Sequence, residues 1–248
     1  MNTVIDVGNT RVKVGFFEEG RLTETVAFAV QPWQNFYTCF SSRIINNCIV
    51  SSTVNLPEHI IQYLKKKAGN FIYLDENTPL PIINSYHTKA TLGKDRIALA
   101  VGAAHIYPSQ NILVVNTGTC VTYNLIEENG SFAGGAISPG LHMRLKAMHT
   151  FTAQLPQPQI NESQEANIIG TSTNESLLSG AINGLVFEIA GFIKALNESY
   201  FPVQVILSGG DCRYVAERLQ TRQQTTFITE PYLALNGLHQ ILQFNGKS

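Results

Sequence analysis

Three times along this chain an apolar run that reads as a buried strand breaks into glycine beside small polar residues. The runs are VIDVGNTRVK at 4–13, VVNTGTCVT at 114–122 and ILSGGD at 206–211. A core strand does not tolerate an ionised carboxylate such as Asp6 unless something compensates its charge. Glycine lets backbone N–H groups approach an anion closely, and Thr, Ser and Asn add donors without bulk. An aspartate in such a loop is repelled by phosphate itself but can serve Mg2+, directly or through water. Each loop alone is weak evidence, because strands commonly end in glycine turns. Three at matching places favour a nucleotide-binding cleft.

The elements around the loops recur in the same order. NTVIDVG, RVKVGFFEEG and RLTETVAFAV read as strand, strand, strand, followed by a strand at 44–54, a helix at 57–67 and a strand at 71–75. Prolines 79 and 81 make the next segment an extended connector. A helix begins near Lys94 and ends before Pro108. After it come a strand at 111–118, a hairpin turning at Asn129-Gly130 and a helix at 141–151. A Gln/Pro-rich loop at 154–166 precedes an apolar helix at 176–196, a strand at 203–210 and a helix over DCRYVAERL. The pattern predicts an α/β chain of two related domains, 1–108 and 109–248, facing each other across a cleft.

Composition narrows the partners. A net charge of −1, with basic residues scattered apart from Lys65-Lys66-Lys67, argues against nucleic acid and against a membrane surface. No apolar stretch is expected to span a bilayer, and Asp6 interrupts the first apolar run, unlike a signal peptide. Cys39, Cys48, Cys120 and Cys212 show neither a C-x-x-C pair nor zinc-like spacing with histidine, which fits a reduced, cytoplasmic protein. His142 and His149 are seven residues apart, too far for a metal pair on one helical turn. Glu188, inside the apolar helix, is expected to face solvent or an interface.

Gly93-Lys94-Asp95-Arg96 introduces a helical pattern. Asp95 is placed either to cap that helix or to act as a base, accepting the proton of an alcohol as a phosphoryl group arrives. Arg96 supplies a fixed charge suited to a carboxylate or phosphoryl group, or a structural ion pair. Tyr86 is a substrate contact or a core ring, and Thr173 a substrate contact or a helix cap. Lys13, on an alternating strand, is as readily solvated as phosphate-facing.

Taken together, DVGNTRVK, NTGTCVT, LGKDRIALAVGA, FAGGAISPGL, GTSTNESLLSG and VILSGG resemble, in order, the motifs of the type III pantothenate kinases. That family is a branch of the actin/hexokinase/Hsp70-like (ribonuclease H-like) ATPase superfamily, and the resemblance covers nearly the whole chain. It implies phosphorylation of pantothenate to 4′-phosphopantothenate, the first step of coenzyme A synthesis, by a homodimer using ATP and Mg2+. By the same resemblance Asp95 is the base, and Tyr86, Gly93, Lys94, Arg96 and Thr173 join it in binding pantothenate. Asp6, Val7, Gly8, Asn9 and Thr10, with Arg11, Val12 and Lys13, form the first ATP loop; Thr119 contacts ATP from the second. Asp6 holds Mg2+ through water.

The chain departs from the pattern at three positions. Asn116 and Asn124 stand where the family has aspartate, and Cys120 where it has alanine. The first of those acids serves a monovalent cation, K+ or NH4+. An amide oxygen at Asn116 can still coordinate such an ion, but the site lacks its negative charge. A non-catalytic nucleotide- or pantothenate-binding regulatory protein, or a phosphatase or ATPase of the superfamily, are therefore the rival readings.

Overall fold

The structure, a computed structural model, describes residues 1–161, 166–222 and 226–246; part of the loop expected at 154–166 lies outside the described residues. The chain forms two compact units, one of residues 1–109, 126–134 and 232–248, the other of 110–125 and 135–231.

In the first unit β1 (Asn2–Val7), β2 (Arg11–Glu18), β3 (Arg21–Ala29), β4 (Ile45–Ser52) and β5 (Ala68–Tyr73) form a sheet in the order β3-β2-β1-β4-β5. β1 pairs antiparallel with β2 and parallel with β4. Being central, β1 is covered on both faces, and its Val4, Ile5 and Val7 are fully buried. Ile5 and Val7 join a core with Phe36 and Phe40 of α1 (Gln34–Phe40) and Ile60 and Leu64 of α2 (Glu58–Lys67). Strand alternation turns Val4 and Asp6 to the opposite face. There α7 (Leu233–Asn245) packs on β1 and β4, and α3 (Lys94–Ile106) packs on α7.

α3 is apolar around its whole circumference, and every residue from Arg96 to Ala103 is buried. Its contact with α7 runs backbone to backbone. A Cβ on Gly237 would stand 1.7 Å from the Ala98 carbonyl oxygen, and one on Gly102 2.5 Å from that of Leu233. This contact draws the C-terminal helix into the first unit, whereas a simple division at Pro108 puts it in the second. Residues 126–134 also belong to the first unit, because β6 (Ile83–Asn84) pairs with the start of β9 (Ser131–Pro139).

In the second unit β7 (Asn111–Thr117), β8 (Cys120–Ile126), β9, β10 (Val203–Ser208) and β11 (Ile228–Thr229) run in the order β11-β10-β7-β8-β9. This repeats the connectivity of the first sheet: the first strand lies at the centre, its hairpin partners on one side and the crossover strands on the other. Its core is built on α5 (Thr173–Tyr200), with α4 (Leu141–Thr150) and α6 (Cys212–Arg222). By length and composition α5 is able to cross a membrane, contrary to the expectation that no stretch is, yet its Leu177, Ile182, Leu185 and Ile189 are core residues. A helix surrounded by protein needs the same apolar circumference as one surrounded by lipid. The helix extends beyond the expected 176–196 because Ser172 caps it, accepting from the Glu175 N–H at 3.3 Å.

Candidate active site

The first loop is a tight connection between β1 and β2. The Gly8 N–H donates to the Arg11 carbonyl at 3.0 Å, leaving Asn9, Thr10 and Arg11 exposed. The Val7 carbonyl is taken by the Thr53 N–H at 2.9 Å, and Val12 is buried, so their side chains serve the sheet. Strand register sets Lys13 of β2 and Ser51 of β4 on either side of Asp6. Directly paired residues share a face of the sheet, so lysine, carboxylate and hydroxyl form one row. Oδ1 of Asp6 is buried without a hydrogen-bond partner. Burial, and next the like charge of Asp95, push the Asp6 carboxyl up to about 6; Lys13 and Ser51 pull the other way.

Asp95 is the second residue of α3. Gly93 caps the helix, its carbonyl accepting from Arg96 N–H at 3.1 Å, and a Cβ there would stand 2.5 Å from Asp95 Oδ1. Glycine thus gives the carboxylate room to fold back over the helix start. Burial raises the Asp95 carboxyl above its ordinary range, opposed by the Arg96 backbone N–H and guanidinium. That combination keeps a carboxylate at the helix N-terminus and makes it a better proton acceptor than a solvated one. Lys94 turns to the preceding loop: its Nζ lies 3.7 Å from Glu76.

Arg96, only 4% exposed, sits against two rings. Its guanidinium carbon is 5.5 Å from the Tyr86 ring centroid and 5.6 Å from that of Phe132. The rings themselves are 6.1 Å apart and 25° from coplanar. β6 brings them together, since Asn84 pairs with Phe132, Ser85 Oγ lies 2.6 Å from Ser131 Oγ, and Tyr86 N–H donates to Asn84 Oδ1 at 3.1 Å. Tyr86 packs over Gly134, whose φ of +128° suits only glycine. Phe132 escapes sequence reasoning: a phenylalanine in a strand reads as core, and its proximity to Arg96 depends on a pairing 48 residues away in the chain.

In the second unit the other two glycine loops meet. A Cβ on Gly209, φ +98°, would stand 2.2 Å from the Thr117 carbonyl, and one on Gly140 2.1 Å from that of Gly118. Thr117 Oγ1 donates to Ser208 O at 3.0 Å, and the Gly140 and Asp211 N–H groups donate to Thr119 O and Thr117 O, both at 3.1 Å. Thr119 is exposed, Asn116 is half-buried, and Gly140 is the contributor sequence reasoning did not single out. Asn124 is buried and donates through Nδ2 to Thr122 Oγ1 at 3.1 Å and to the Val114 carbonyl at 3.4 Å; an ionised aspartate has no proton to give that carbonyl. Thr173 is the exposed first residue of α5. The cap is Ser172, and the Glu175 carboxylate fixes the turn by accepting from Thr171 N–H and Oγ1 at 2.8 Å each.

Glu188 is not turned out to solvent, one of the two placements expected of it. It accepts from Tyr123 OH at 2.7 Å, from Ser138 Oγ at 3.1 Å and from Arg144. Burial works to raise its carboxyl, and these bonds outweigh it and hold it below the usual range. The group is structural, joining α5 to α4 and β8. Among the described residues no three His, Cys, Asp or Glu side chains form a metal-binding cluster.

The sequence pattern of the type III pantothenate kinases matches residues 2–195. A type III pantothenate kinase of Christiangramia forsetii is 39% identical over 249 residues, covering 99% of both chains. Among solved structures, a Baf family protein from Campylobacter jejuni superposes with a TM-score of 0.63 at 19% identity, over 99% of this chain and all of that one. The polyphosphate/ATP-glucomannokinase of Arthrobacter follows at 0.54 and 14%, over 98% of each chain. At such identities these two show the fold alone, that of the actin-like ATPases and sugar kinases.

Proposed function

The chain belongs to the type III pantothenate kinase family, and we infer that it transfers the γ-phosphoryl group of ATP to the primary hydroxyl of pantothenate. The product, 4′-phosphopantothenate, enters coenzyme A synthesis. The observation that carries the site reading is the half-buried Asp95 carboxylate, beside Arg96 at the start of α3 and within electrostatic reach of Asp6.

In this reading Asp95 accepts the hydroxyl proton as the oxygen attacks phosphorus. Arg96 binds the carboxylate of pantothenate, Tyr86 packs against its apolar body, and Thr173 contributes a hydroxyl. Gly93 gives the base its room, while Lys94 holds the preceding loop through Glu76. The exposed amides and hydroxyls of Asn9 and Thr10, the charges of Arg11 and Lys13, and Thr119 serve the phosphates. The partnerless Oδ1 of Asp6, beside a second carboxylate, fits Mg2+ held through water. Bound there, the ion neutralises phosphate charge.

Asn116 offers a neutral oxygen, so the monovalent cation is a weak activator here. The resemblance implies a homodimer, and the half-exposed Phe187 on α5 is compatible with a place in its interface. A cytoplasmic location is part of this reading; Cys39, Cys48, Cys120 and Cys212 form no disulfide.

Coupled ADP production with and without pantothenate tests the function. Release only with pantothenate is the expected result. Release without it makes the protein an ATPase, and none in either case makes it a binding protein.

A further inference from the structure

We propose that Phe132 is a positioning residue that sets acceptor specificity: with Tyr86 it fixes the Arg96 guanidinium, so the pocket selects acceptors bearing a carboxylate. This rests on the reading of Arg96 as the partner of the pantothenate carboxylate.

The triangle of Arg96, Tyr86 and Phe132 has sides of 5.5, 5.6 and 6.1 Å. A guanidinium within about 6 Å of a ring centroid is attracted by the ring quadrupole, more strongly where water is excluded. Phe132 is 1% exposed and Arg96 4%, so the attraction acts in a poorly hydrated place. The two rings differ in their support. Phe132 is clamped in the β6–β9 pair beside the Ser85–Ser131 bond, whereas Tyr86 is half-buried at its edge. Phe132 is therefore the fixed wall against which both Tyr86 and the guanidinium rest. Arginine has many rotamers, and its fork discriminates a carboxylate only when its plane is held. Without the Phe132 face the charge stays in place, but one of the two ring faces that hold its plane is gone. The consequence falls on binding a charged acceptor, and not on ATP or on the proton transfer at Asp95.

The test compares pantothenate with pantothenyl alcohol, in which CH2OH replaces the carboxylate. The quantity read is the ratio of the Ki of the alcohol, as a competitor, to the KM of pantothenate. Wild type, Phe132→Leu, Phe132→Tyr and Arg96→Met are measured, each with its melting temperature. Phe132→Leu is expected to lower the ratio by roughly tenfold through the KM of pantothenate, the size of one desolvated cation–π contact. The KM of ATP and kcat should move by less than about twofold. Phe132→Tyr, which keeps the ring face, should retain the wild-type ratio. Should Phe132→Leu fail to fold, Phe132→Met carries the same comparison. A ratio unchanged in the ring-less variant, with Arg96→Met losing it, overturns the proposal and leaves the Arg96 reading standing. A ratio unchanged in Arg96→Met overturns that reading and the proposal with it.

Discussion

Asp6, near the end of β1, and Asp95, in the first turn of α3, are two carboxylates within electrostatic reach of each other, and Asp95 helps to raise Asp6 to about 6. Two acids so placed disfavour each other's ionised form, and a divalent cation or a proton relieves them. The raised value fixes a sign. Between about 4 and about 6 the folded protein binds a proton at Asp6 that the unfolded chain does not. This contribution to stability is therefore greatest below 4 and declines as pH rises through 6. Asp6→Asn should raise the melting temperature of the ligand-free protein at pH 8, and the gain should shrink at pH 5. Calorimetry at the two pH values checks this; an equal shift at both removes the buried charge from the account.

Asp95→Asn should abolish phosphoryl transfer, a fall of at least about 10² in kcat, while ATP binding persists. Single-turnover assays and nucleotide titration separate the two effects. Near-normal turnover removes Asp95 from the mechanism.

Rates in KCl and NaCl should agree within about twofold, because Asn116, at the position proposed for the cation, carries no charge. Asn116→Asp should make the rate rise more steeply with K+ than with Na+. Strong K+ activation of the unaltered protein contradicts this.

Gly237→Ala should destabilise the protein by about 3 kcal/mol or more, since a Cβ 1.7 Å from the Ala98 carbonyl forces two helix backbones apart. Thermal melting measures it. Because α3 carries Asp95 at its start, any folded fraction should also show a reduced kcat.

His239 lies 4.0 Å from Phe17, stacked at 8°, with Nε2 partnerless. Burial, aided by the charge of His105, lowers it from 6.5 to about 4. The fold holds it neutral while the unfolded chain protonates, so its share of stability is complete above 6.5 and declines as pH falls towards 4. His239→Phe should therefore lose less stability between pH 7 and pH 5 than the unaltered protein. Parallel curves in urea titrations at the two pH values count against it.

The sequence by itself determined the α/β class, the recurrence of strand, polar loop and hairpin, and the motif order that names the family. Those signals are local: strand periodicity, glycine beside hydroxyls, a carboxylate at a helix start. The order 3-2-1-4-5 reappearing as 9-8-7-10-11 gives that recurrence a topological form. Only the tertiary structure decided where the C-terminal helix belongs, because Gly102 and Gly237 recognise each other across more than a hundred residues. It also turned Glu188 from a surface acid into the acceptor for Tyr123, Ser138 and Arg144, since an apolar helix does not reveal which polar groups meet its one carboxylate. Phe132 beside Arg96 is the same case: strand pattern places the ring in a core, and only the pairing of β6 with β9 says whose charge it faces. Local chemistry is written along the chain, whereas contacts between distant segments depend on register and close backbone approach, which one sequence does not fix.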